Sequence, residues 1–303
     1  MRVLLCVALS FLITFMGPNA QSETNNVAAV LKAQQAFTAS ETKATRRALL
    51  DALDAYDGET TVETVQAYLA VLVSDTGSGD YTKIRESGLA TATHLEPVSD
   101  ILPRQYVEAK YVAAAAYFNG RQHPNAMLEM AQVEGFSAQF LDATGEQPDW
   151  ADKLRWQADA WGLAMRAYFQ SAYKRHPSDA DIDAILASYG VNTDAEAARL
   201  APGDTTGLPH CPGRLIQRPR MRYPTGGVRR GLYGSVILRF AFGPEGGVVD
   251  PEILASVPEE TFDERALSAV QKWRFKPDKA SDVGSTCALE RTNVVLPVVF
   301  LLN

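Results

Sequence analysis

Histidine and cysteine are scarce here, with four and three in 303 residues. His94, His123, His176 and His210 stand apart, without the spacing that a metal centre needs. His210 beside Cys211 gives one His and two Cys with Cys287, an incomplete zinc set. No Gly-x-Ser-x-Gly elbow and no phosphate-binding glycine loop occurs, which removes two common routes to an enzyme. "VLVSDTGSGD" holds one Asp75-Thr76-Gly77, but acid proteolysis needs two carboxylates sharing a proton, and no second copy exists. "DADID" (Asp179, Asp181, Asp183) imitates the start of a calcium loop. It fails at the sixth position, Ala184, and at the twelfth, Gly190. These absences leave no catalytic residue, cofactor or metal to expect.

Long apolar runs are also lacking. The longest opens the chain, Val3 to Met16 after Arg2, and ends at Gly17-Pro18 and Ala20. At about 1.5 Å per residue it spans roughly 21 Å, short of the ~30 Å hydrocarbon layer. The grammar is that of a secretory signal peptide over residues 1–20, with a short membrane anchor as the other reading. Export would leave only Cys211 and Cys287, and an oxidising compartment predicts a disulfide between them.

What remains is globular: 46% hydrophobic and 21% charged, enough for two domains. Charge divides the chain. Residues 1–200 carry 16 basic against 25 acidic side chains, and residues 201–303 carry 13 against 11. Between Thr205 and Pro244 stand seven arginines and no acid. An exported chain with an acidic first half makes nucleic acid a poor partner. The arginines read either as a solvated face or as a contact for something acidic.

Residues 21–200 have helical periodicity and no strand pattern. "TVETVQAYLAVLV" puts Val62, Val65, Leu69 and Leu72 on one stripe, and "YVEAKYVAAAAYFNG" gathers Val107, Tyr111, Ala114, Ala115 and Phe118 before Gly120. "DKLRWQADAWGLAMRAYF" aligns Leu154, Ala158, Trp161, Met165 and Phe169; "SDADIDAILASYG" opens on Ser178 with acids in its first turn. The expectation is an all-α domain of helical hairpins, with a faint likeness to tetratricopeptide repeats around 108–135. Its aromatic stripes are core before they are a groove. Residues 201–213, rich in Gly and Pro, read as the linker.

Past the linker the period changes to two. "GSVILRFAF" alternates, "GPEGG" turns, "VVDPEILASV" returns, and "TNVVLPVVFLL" closes the chain as a third strand. Between them Thr261 and Glu264 form an expected capping box. Phe262, Ala266, Ala269, Val270 and Trp273 lie on one helical face before Phe275-Lys276-Pro277 stops it. Residues 214–303 should therefore fold as a small α+β domain, a three-stranded antiparallel sheet with one packed helix.

Tyr223-Pro224, Gly234, Val248, Ser256, Pro258, Phe262-Asp263, Ala266, Ala269-Val270, Trp273, Phe275, Pro277 and "VVLPVVF", in that order, resemble the C-terminal domain of the TonB family. The resemblance implies an extended segment of an outer-membrane TonB-dependent transporter adding to the sheet edge. The implied contacts are Tyr223, Pro224, Thr292, Asn293, Val294, Val295, Leu296, Val298, Val299 and Phe300. Three features differ from a family energy transducer. The N-terminal run has Ser10 and no His, a helical domain replaces the long Pro-rich spanning segment, and Pro297 removes one N–H from the last strand. Two functions follow. One is a periplasmic transporter-binding protein, with or without energy coupling; the other is a periplasmic adaptor using the same domain for self-association or envelope contacts. In both, the helical domain would dock another envelope protein, and membrane contact requires an uncleaved N-terminus.

Overall fold

Short polar caps decide where the first helices begin. The computed structural model describes residues 20–140, 145–172, 184, 187, 211–230, 232–278 and 287–300. Contacts divide the chain into two compact units, Met1–Glu129 and Met130–Asn303.

The first unit is helical: α1 (Ala20–Ala39), α2 (Lys43–Asp54), α3 (Val62–Ser78), α4 (Tyr81–Leu95), a 3-10 turn (Glu96–Val98) and α5 (Pro103–Asn119), with α6 (His123–Gln139) crossing the division. Thr42 caps α2 by accepting the Thr45 N–H at 3.1 Å, and Thr61 caps α3 through Thr64 at 3.3 Å. Val30, Phe37, Leu49, Leu53, Ala67 and Val71 join α1, α2 and α3 in one core. Leu72, Ile84, Ala92, Ala109, Val112 and Ala116 join α3, α4 and α5 in a second. A side chain at Gly88 would meet the Ala109 carbonyl at 3.1 Å, so glycine lets α4 and α5 approach closely. The expected α5 stripe is buried throughout. On α3, Val65 and Leu72 are buried and Leu69 is partly buried, but Val62, at the first helical position, is exposed. Asp75 of the lone Asp-Thr-Gly is buried near the end of α3. Arg46 holds it in a two-pronged bond, Nε at 2.8 Å and a terminal nitrogen at 2.6 Å. It is an anchor between helices.

The second unit contains α7 (Asp149–Ala172), β1 (Gly213–Gln217), α8 (Thr225–Arg230), β2 (Gly234–Phe242), β3 (Val248–Val257), α9 (Asp263–Val270), β4 (Arg274–Pro277) and β5 (Arg291–Phe300). Three strands form the expected antiparallel sheet, and the structure sets their order as β3-β2-β5; β1 and β4 form a separate antiparallel ribbon that the sequence did not announce. The β2–β3 turn closes by Gly246 N–H donating to the Gly243 carbonyl at 2.8 Å. Gly246 has φ +76°, and a side chain there would strike the Phe275 carbonyl.

One sheet face carries Val236, Leu238, Phe240 and Phe242, packed with Phe262, Ala266, Val270 and Trp273 from α9 and its flanks. Trp273 is 3% exposed, so the abrupt end of α9 is a core anchor. The expected capping box is absent. Phe262 precedes the helix as its cap residue, with no side-chain cap bond, and the Thr261 hydroxyl donates to the Glu259 carbonyl instead. The cause is packing: Phe262 is fully buried and stacks on Phe300 with ring centres 4.4 Å apart.

The opposite face, with Ser235, Ile237, Ala255 and Val257, is covered by α7. The Ser235 hydroxyl donates to the Ala160 carbonyl at 2.5 Å, and Tyr168 stacks on Tyr233 at 5.4 Å. Leu154, Ala158, Trp161 and Met165 are buried as their spacing requires. Residues 201–210 of the expected linker, the signal-like residues 1–19 and all but Ala184 and Ala187 of "SDADIDAILASYG" lie outside the described residues. The composition change after residue 200 and the compact division at 129–130 differ because α7 packs on the sheet.

Candidate partner-binding edge

β5 carries eight of the sequence-expected contact residues, and its position in the sheet decides what they can do. It pairs with β2 on one side, Gly234 with Phe300, Val236 with Val298, Leu238 with Leu296 and Phe240 with Val294. Among the described residues no strand covers its other side. Residues directly opposite share a face. Val294, Leu296 and Val298 therefore pack with the α9 core, while Val295, Pro297 and Val299 lie on the α7 face. Val295 is buried there at 8% exposed, and Val299 reaches solvent at 38%.

The open edge consists of backbone. Pro297 has no N–H, so it fits the ladder opposite Ile237 with its nitrogen turned away from β2. Alternation along the strand aims the N–H groups of Val295 and Val299 the same way. Asn293 has φ +51°, next to the register shift between Phe240 and Phe242, which bends the start of β5. Asparagine tolerates that left-handed conformation better than most side chains.

Tyr223 meets the far end of this strand. Its ring stands edge-on to Phe300 at 5.9 Å and to Phe262 at 5.5 Å, and its hydroxyl donates to the Leu232 carbonyl. Burial raises its pKa. Tyr223 is thus half-buried architecture at the strand end, with Pro224 half-buried beside it. Thr292 lies near the start of β5, away from that aromatic group.

The disulfide between Cys211 and Cys287 is formed, with Cα atoms 4.8 Å apart. It joins the approach to β1 to the approach to β5. Cys211 N–H also donates to the Ala288 carbonyl at 2.9 Å. Arg291 donates to the Cys211 carbonyl at 3.0 Å and lies over the Phe275 ring at 4.2 Å; burial lowers its pKa. Cysteine count alone signalled this bond, whereas the Arg291 clamp left no pattern in the sequence. Among the described residues no helix is long and apolar enough to cross a membrane, and no metal-binding cluster occurs.

The protein tonB2 of Pseudomonas aeruginosa is 32% identical over 88 residues, covering 29% of this chain and 31% of the relative. The protein TonB of Klebsiella pneumoniae is 26% identical over 119 residues, 37% of this chain and 44% of that one. For protein TonB of Escherichia coli the figures are 24% over 90 residues, 30% and 34%. The chain thus spans less than half the length of these curated relatives. Residues 219–293, from the segment before Tyr223 into the start of β5, match the family of the Gram-negative bacterial TonB protein C-terminal region.

Proposed function

We propose that this is an exported, non-catalytic envelope protein whose TonB-like domain binds an extended segment of an outer-membrane transporter by strand addition to β5. The observation that carries the reading is the uncovered edge of β5, at the end of a sheet whose two faces are both packed. Such an edge supplies main-chain hydrogen bonds for affinity, and neighbouring side chains supply selectivity. The similarity of residues 219–293 to the TonB C-terminal family supports the same reading. The periplasm is the compartment in which the disulfide and the transporter would both be found. The helical first unit would then dock a second envelope protein, and energy coupling would depend on that partner.

A second reading uses the same edge without transport. A free strand edge accepts another copy of itself, and the solvent-reaching Val299 beside it adds apolar surface. The adaptor would self-associate or join other envelope proteins.

Isothermal titration of the full chain against transporter plug peptides separates the two. The first reading expects binding that Val299→Pro abolishes while circular dichroism stays native, since proline removes an outward donor. Silence across the panel, with a concentration-dependent dimer in ultracentrifugation, would instead favour the adaptor.

A further inference from the structure

β1 is exposed along its whole length and, among the described residues, pairs only with β4, so no described strand covers its other edge. Its register sets Leu215, itself 39% exposed, opposite the buried Phe275. The other face of the ribbon carries Arg214 opposite Lys276, and Gln217 opposite Arg274. Ile216, at the register shift, is 58% exposed among them. The chain continues through Arg218, Arg220 and Arg222. Arg218 is occupied over the Trp273 ring at 4.9 Å, and Arg274 donates to the Trp273 carbonyl at 2.8 Å. Among the described residues Arg214, Arg220, Arg222 and Lys276 make no ion pair.

Like charges directly opposite on a ribbon repel, and a two-stranded ribbon is marginal by itself. A third strand would complete the ribbon, and acidic side chains on it would relieve the repulsion. The same arginines repel the equivalent edge of another copy, which excludes self-pairing as the occupant.

We propose that the outer edge of β1 is a docking site for an extended acidic polypeptide segment. Its carboxylates would meet Arg214, Lys276 and the Arg220–Arg222 run, and an apolar residue would cover Ile216. This site is separate from β5 and does not depend on the function proposed there.

The test is fluorescence anisotropy of a labelled alternating Glu-Val peptide with the full, disulfide-intact chain. Binding is expected at low salt, weakening as salt rises, with none for an alternating Lys-Val peptide. Arg214→Glu with Lys276→Glu should weaken it at least about tenfold, because attraction becomes repulsion. Arg214→Glu alone, at an exposed position, serves if the double variant misfolds, with a loss of about two- to fivefold or more. A proline in the centre of the peptide should also weaken binding, since a strand is required. Absence of Glu-Val binding, indifference to both variants, or equal binding of the proline peptide would overturn the proposal. So would binding only to phosphatidylglycerol vesicles, which would assign the face to a lipid surface.

Discussion

The two faces of the three-stranded sheet are covered by helices of different origin. One face receives α9, which follows β3 directly and ends on Trp273 within the same small domain. The other receives α7, whose Ala160 lies 75 residues before its partner Ser235. A helix that follows its sheet closely announces itself through matched periods, two in β2 and 3.6 in α9, bounded by a turn. A helix that arrives from far upstream offers only its own amphipathic stripe, which names no partner. The lesson is that the boundary of a recognisable domain and the boundary of its packing need not coincide.

The largest effect is expected on the α9 face. Trp273→Ala removes a side chain that packs edge-on against Phe240 at 6.3 Å, and should cost about 3–5 kcal/mol in denaturant unfolding. A wild-type midpoint would remove Trp273 from the core of the account.

The disulfide closes a loop that holds β1, α8, β2, β3, α9 and β4, and so bears on both faces together. Replacing Cys211 and Cys287 by serine should cost about 2–5 kcal/mol. Thiol titration of oxidised protein should find neither cysteine free.

On the α7 face a smaller change is expected. Ser235→Ala deletes the hydrogen bond to Ala160 and should cost about 1 kcal/mol. Protease nicking of α7 should increase in the same variant while the α9 face stays protected. If Ser235→Ala leaves both unchanged, α7 is not held to the sheet by this contact.

Acid should separate the units with the smallest effect on the sheet. Burial lowers the pKa of His94, and lowers that of His123 to about 4. Both belong to the first unit. The unfolded chain takes up these protons near 6.5, so the stability they confer is present above that pH and lost as pH falls towards 4. Asp263 runs the other way. Burial raises its pKa, with Glu260 and Glu259 nearby, so protonation on acidification relieves a cost in the second unit. Hydrogen exchange followed from pH 7 to 4 should show the first unit opening before the sheet.

Much of the C-terminal domain was legible because each segment obeyed one simple rule. Alternation in 234–242, the Gly243–Gly247 turn and the apolar face ending at Trp273 each had one geometric solution. β1 escaped because "GRLIQ" places Leu215 and Ile216 side by side, without alternation, among arginines. The capping signal at Thr261 misled because local hydrogen bonding yielded to the burial of Phe262. The in-out phase of β5 was also undetermined from the sequence, where five of the residues from 294 to 299 are aliphatic and one is proline. Only the pairing with β2 and the two covering helices separate Val294, Leu296 and Val298 from Val295, Pro297 and Val299.

The account turns on the open edge of β5, and amide exchange read residue by residue tests it most directly. Exchange would be followed by nuclear magnetic resonance with and without a saturating transporter plug peptide. The account predicts that the Val295 and Val299 amides, which point away from β2 in the free chain, slow markedly on binding. Val294, Leu296 and Val298, already bonded to β2, should change little. Protection confined to the β3 edge, or binding without any change at Val295 and Val299, would contradict it.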